Sequence, residues 1–173
     1  MFSHVQIGTS DFPRAYGFYA PIMAALGLEL RFNEPEVPWA AWQTPGQDRP
    51  IFILGAPFEG AHHPGNGQTV AFMAPDRDTV RRCHALALAA GGTDAGAPGP
   101  RPQYHADYYG AYFRDLDGNK ICAVCHAAPR SRALRRSGCS EVPRICSDLC
   151  TTCRAWPTIS GSGGRTTFLS LPG

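Results

Sequence analysis

From Ser3 to His126 the chain alternates short runs of period-two hydrophobicity with two longer runs of helical period. The first run, SHVQIGTSD, reads as a strand closing on Asp11. It leads into FPRAYGFYAPIMAALG, where Phe18, Ile22 and Leu26 recur at helical spacing and so face a sheet. Ser10 or Asp11 can cap that helix, Pro13 suits its first turn and Gly27 suits its end. Pro21 inside the run predicts a kink or a split, because proline lacks the N–H that a helix interior needs. LELRF, WAAWQT and PIFILG follow as three strands.

The same order then recurs. QTVAFMAPD is a strand, and DRDTVRRCHALALAAGG is a helix with an Asp start and a Gly-Gly stop. The apolar face of that helix is Val80, Cys83, Leu86 and Ala87. A Pro/Gly-rich loop from Thr93 to Pro102 has room for a short strand. YYGAYFRD and KICAVCH make the last two strands, joined by the turn residues of Asp115–Asn119. The repeat is one of pattern rather than of identity, and it constrains the whole fold. The expected organisation is therefore α+β: two βαβββ modules, about 1–60 and 66–126, within a domain of residues 1–127.

After His126 the periodicity stops. Residues 128–173 are rich in Arg, Ser, Gly, Pro and Cys and poor in large apolar side chains, the composition of an unstructured tail. Within it, CSDLCTTC has the Cys-x3-Cys-x2-Cys spacing of the iron–sulfur motif of radical S-adenosylmethionine enzymes. The likeness ends at the spacing, since the residues beyond Cys153 are too few to build the barrel around such a cluster. Two further readings stay open: four thiolates, Cys139 included, holding a structural zinc, and a tail that is not a selected sequence.

Composition narrows the class without naming it. The 173 residues are 43% hydrophobic, enough for a real core in one domain. A formal charge of +2 gives no reason to expect a nucleic-acid or membrane partner. No apolar run approaches the roughly 20 residues of a membrane span. The first residues lack the pattern of an export signal, so a cytoplasmic protein is expected. Seven cysteines, an odd number, then argue for reduced thiols over a disulfide framework.

Three stretches carry a resemblance to a known superfamily. HVQIGTSDFPRAYGFYAPIMAALGLEL is similar to the opening strand and helix of vicinal oxygen chelate proteins, which include glyoxalase I, fosfomycin and bleomycin resistance proteins and extradiol dioxygenases. GNGQTVAFMAPDRDTVRRCHALALAAGGTDAGAPG resembles their second strand and helix, and YYGAYFRDLDGNKICAVCH their closing hairpin. The likeness covers residues 2–126 and not the tail. It implies two modules whose sheets curl into a half-open barrel around a ligand cavity, and often a two-fold homodimer.

It also implies a divalent metal held by strand side chains. By position, His4 matches the first-strand ligand, Thr69 stands where relatives carry His, and Cys122 stands where they carry Glu. Module one offers only Ile53 or a neighbour at the remaining place. Of these, His4 and Cys122 are the candidate metal ligands, with His105 as a freer donor on the loop before the closing hairpin. Thiol, hydroxyl and one imidazole make a poor set for metals served elsewhere by imidazole and carboxylate. A degenerate site, with no cofactor, is the favoured reading, and Cys122 is then a small buried thiol.

The cavity has value without a metal. Alternation puts Gln6 on the same face as His4. Tyr104, His105, Tyr112 and Arg114, with Thr69 and Cys122, complete the expected lining of a pocket for a small molecule, since pockets combine apolar walls with a few placed polar groups. Tyr108, Tyr109, Trp39 and Trp42 add aromatic surface. His62-His63 reads as an exposed loop pair. Two functions follow: a protein that sequesters a small ligand between aromatic walls, or a metal-dependent lyase, isomerase or dioxygenase acting on a small oxygenated substrate. The catalytic residues of the second are unassigned, because neither Thr69 nor Cys122 supplies the carboxylate base it needs.

Overall fold

Each half of the described residues folds into one four-stranded sheet backed by one helix. The computed structural model describes residues 2–129, and these fall in one compact unit, Met1–Arg132. The expected α+β pair of βαβββ modules is present. The tail reading, including its thiolate cluster, lies from residue 130 onward outside the described residues.

The first module runs β1 (His4–Gly8), α1 (Phe12–Leu26), β2 (Glu29–Glu34), β3 (Trp39–Gln43) and β4 (Ile51–Gly55). The second runs β5 (Val70–Met73), α2 (Arg77–Ala89), β6 (Thr93–Pro100), β7 (Tyr109–Arg114) and β8 (Lys120–Cys125). The strand orders are β1-β4-β3-β2 and β5-β8-β7-β6, with β1 parallel to β4 and β5 parallel to β8. The two sheets stay open and separate.

Local chemistry accounts for both helices. Asp11 accepts the Arg14 N–H at 3.1 Å and Asp76 accepts the Thr79 N–H at 2.8 Å, each satisfying a donor with no partner inside the helix. Gly27 closes α1 at φ 78°, a conformation that costs other residues a steric penalty. Pro21 does not split α1, which runs unbroken from Phe12 to Leu26. Pro21 lies on the exposed side, where the carbonyl left without a donor can turn to water. The inner side, Phe18, Tyr19, Ile22 and Met23, is at most 2% exposed and fixes the helix by packing.

The Thr93–Pro102 segment holds a longer strand than expected. β6 spans eight residues and tolerates Gly and Pro because it is an edge strand with irregular register against β7. One core joins the modules: Phe18 and Tyr19 of α1 reach Phe113 and Asp115 of the second module, and Phe52 meets Phe72 edge-on at 4.9 Å. Among the described residues no helix is long and apolar enough to cross a membrane.

Candidate functional site

Each sheet has one face toward the helices and one away from them. Ile7, Ala40, Trp42, Phe52 and Leu54 join the common core, whereas Ala41, Ile51 and Ile53 form a separate apolar cluster on the other face. His4 pairs with Ile51 and Gln6 with Ile53, which places both on that second face. In the other sheet, Ile121, Ala123 and Cys125 enter the core, and Cys122 points away together with Tyr112 and Ala71, its register partners. Thr69 precedes β5 and falls on the Ala71 side. The three positions carried over from the resemblance thus all lie on faces turned from the helices.

Their surroundings differ. His4 and Thr69 are exposed, and Gln6 is half-buried. Cys122 is 1% exposed. The Tyr108 hydroxyl lies 3.8 Å from its sulfur and 3.0 Å from the Tyr112 hydroxyl. Burial pushes the Cys122 thiol up, and the hydrogen bonds of Tyr108 and Tyr112 offset only part of that, so the group is a neutral thiol at pH 7. Burial likewise raises the Tyr112 phenol, with Tyr108 adding to it, while Lys120 sits 5.3 Å from the Tyr112 ring centre.

The set His4, Thr69 and Cys122 does not fit a divalent metal. A ligating sulfur must be a thiolate, so a metal here would have to displace the Cys122 proton in an apolar setting and break its contact with the Tyr108 hydroxyl, with only an exposed imidazole and a neutral Thr hydroxyl as the other donors. Among the described residues, no three His, Cys, Asp or Glu side chains gather as metal ligands.

Around Cys122 the structure assembles an aromatic group that includes several expected residues. Tyr104 packs on Tyr108 at 4.8 Å and His105 meets Tyr108 edge-on at 5.6 Å. His105 Nε2 lies 2.8 Å from His126 Nδ1, and its Nδ1 accepts the Asp107 N–H at 3.2 Å. That acceptance puts the proton of a neutral His105 on Nε2, which then donates to His126. Arg114 stands apart from this group: it is exposed and its Nη1 donates to the Gly118 carbonyl at 2.8 Å. The part played by Tyr108, as the cap over Cys122, was not legible from spacing because its ring lies over Gly110, where a Cβ would come within 2.8 Å of it.

Two cavities of about 400 Å3 lie near β1, and neither is lined by Cys122 or Tyr112. The first is an apolar cleft between the modules, walled by Val5, Trp42 and Phe52 on one side and Val70, Phe72 and Met73 on the other. Gln43, Thr44 and Gln47 supply its polar groups. Phe2 and Met73, each 77% exposed, stand at its mouth. Trp42 is 3% exposed and stacks on Tyr16, while Trp39 is 37% exposed and donates to Glu34. The second cavity contains Gln6 and His62. His62 is half-buried, in contrast to the exposed loop expected, because its ring packs against the Cβ-less Gly8.

Two βαβββ modules with open sheets and an inter-module cleft, and His4, Thr69 and Cys122 on the sheet faces turned from the helices, define a vicinal oxygen chelate fold. Residues 1–123 match the Glyoxalase/Bleomycin resistance protein/Dioxygenase superfamily, and the chain belongs to that family. A glyoxalase/bleomycin resistance protein from Albidiferax ferrireducens T118 is 33% identical, over 72% of this chain and 98% of that one, with a TM-score of 0.64. A glyoxalase-related enzyme from Fulvimarina pelagi (17% identity, 72% and 87% coverage, TM-score 0.54) shares the fold. So does a glyoxalase/bleomycin resistance protein/dioxygenase family enzyme from Burkholderia phytofirmans PsJN (19%, 72% and 98%, TM-score 0.52). No match was found among curated proteins.

Proposed function

We propose that this chain is a small-molecule-binding member of the superfamily that works without a metal, its ligand held in the apolar cleft between the modules. One observation carries the reading. The position that relatives give to a carboxylate is a buried neutral thiol, Cys122, covered by the hydroxyls of Tyr108 and Tyr112. A metal-dependent lyase or dioxygenase would have to strip this buried thiol of its proton to ligate the metal, and it needs a base beside it. The cleft supports binding in its own right: its volume is of drug-sized order, its walls are apolar, and three polar side chains lie along it. A cytoplasmic homodimer without cofactor completes the proposal.

The test is metal content of untagged protein beside Thr69→His/Cys122→Glu, together with quenching of Trp42 emission by an apolar fluorescent dye in a Trp39→Phe/Trp156→Phe background. A metal-poor natural protein, a metal-filled variant and saturable Trp42 quenching are expected. Near-stoichiometric metal in the natural protein, lost in His4→Ala, would restore the enzyme reading and refute this one.

A further inference from the structure

The second cavity, of about 400 Å3, opens toward the C-terminal end of β1 and shares no lining residue with the apolar cleft. Gln6 and Gly8 bound it from β1, Pro57, His62 and His63 from the segment between the modules, and Gln68 from the approach to β5. Its lining contains no Lys, Arg, Asp or Glu. His62 is wedged there: a Cβ on Gly8 would come within 2.6 Å of its Nδ1. The Nε2 atom is buried and has no hydrogen-bond partner among the described residues. Gln6, His63 and Gln68 side chains likewise make no hydrogen bond among the described residues. Four side chains with uncommitted hydrogen-bonding capacity therefore border one cavity. A buried polar atom gains free energy from a partner, either a water or a ligand group that reaches it.

We infer that this cavity is a binding site for a small, neutral, planar molecule bearing an amide or lactam group. A primary amide offers a donor and an acceptor side by side, and so do Gln6 and Gln68, which makes them complementary to another amide. A charged ligand would enter without a counter-charge in the lining. Phe58, 91% exposed at the rim, and Pro57 offer apolar faces to the ligand's ring. The site is independent of the cleft proposed above, and each stands or falls alone.

The test is a titration of the 15N-labelled full chain with nicotinamide, followed by NMR, with nicotinate as the anionic counterpart. Nicotinamide is expected to shift the Gly8 amide and the His62 ring signals, and to leave the Val70–Met73 amides in place. Nicotinate is expected to bind roughly tenfold more weakly. Gln6→Leu/Gln68→Leu is expected to weaken nicotinamide binding by about tenfold or more, from the loss of two hydrogen-bonding partners. If that double variant melts early, Gln68→Leu alone, at an exposed position, carries the same expectation with a smaller loss. Unmoved Gly8 and His62 signals would mean that water alone satisfies His62 and would overturn the inference. Equal binding of nicotinate, or shifts confined to β5, would also overturn it.

Discussion

At the scale of single residues, Cys122 and Asp115 show how burial decides chemistry. Cys83 and Cys122 are both buried thiols, and burial pushes Cys83 up to about 11 and Cys122 in the same direction. Both are expected to alkylate about a hundredfold more slowly in the native protein than in denaturant, as read by mass-mapped iodoacetamide labelling at neutral pH. Asp115, 6% exposed, is fully engaged instead. It accepts the Tyr19 hydroxyl at 2.6 Å, the Asn119 N–H and side-chain amide at 2.8 Å each, and the Asp117 N–H at 3.0 Å. Tyr19→Phe removes one charge-assisted bond in a buried setting and is expected to cost about 1–3 kcal/mol in urea unfolding.

At the scale of elements, the turn between β7 and β8 is the latch between the modules. Thr9 Oγ1 donates to Asp117 at 2.6 Å, the Ser10 hydroxyl donates to the same carboxylate, and Asn119 donates to the Gly8 carbonyl at 3.0 Å. Burial alone would raise the Asp117 pKa, but the hydrogen bonds from Ser10 and Thr9 prevail and leave it lowered. A lowered acid holds its proton less readily when folded. Its stabilisation is therefore complete above the unfolded value of about 3.9 and is lost as pH falls through the folded value. Urea midpoints measured downward from about pH 6 should fall less steeply in Asp117→Asn than in the natural protein. Packing against this latch is equally close at Gly92, where a Cβ would meet the Arg114 carbonyl oxygen at 2.8 Å and the Ala87 carbonyl oxygen at 2.9 Å. Backbone cannot yield as a side-chain tip does, so Gly92→Ala is expected to lower stability by about 2 kcal/mol or more, measured by thermal unfolding.

At the scale of the whole molecule, two modules share one core and so should unfold together. The Phe18–Phe113 and Phe52–Phe72 contacts and the Tyr19–Asp115 hydrogen bond all cross between modules. A single transition for residues 2–129, with Trp42 emission and far-ultraviolet dichroism coincident, is the expected result. Two separated transitions would mean that the modules are independent folding units.

Much of the fold was legible in order and period. Alternation in SHVQIGTSD and KICAVCH, the Asp caps at Asp11 and Asp76, and Gly27 at the close of α1 are local effects, decided within a few residues of chain. Local chemistry also misled where packing was stronger: Pro21 argued for a broken α1, but the buried face of Phe18, Tyr19, Ile22 and Met23 holds the helix whole. The candidate site was legible only as a list of positions. The resemblance pointed to His4, Thr69 and Cys122 by position, alternation added Gln6 to the His4 face, and Tyr112 stood only among the aromatic candidates. None of this carried the information that Tyr108 would fold back over Cys122, that Arg114 would turn to Gly118, or that His62 would wedge against Gly8. Those contacts join groups whose approach depends on strand register, loop path and the absence of a Cβ. The sequence by itself thus determined the elements and the family. Only the tertiary structure decided which of the side chains meet, because a thiol becomes inert and an imidazole loses its partners through burial, which many distant residues create together.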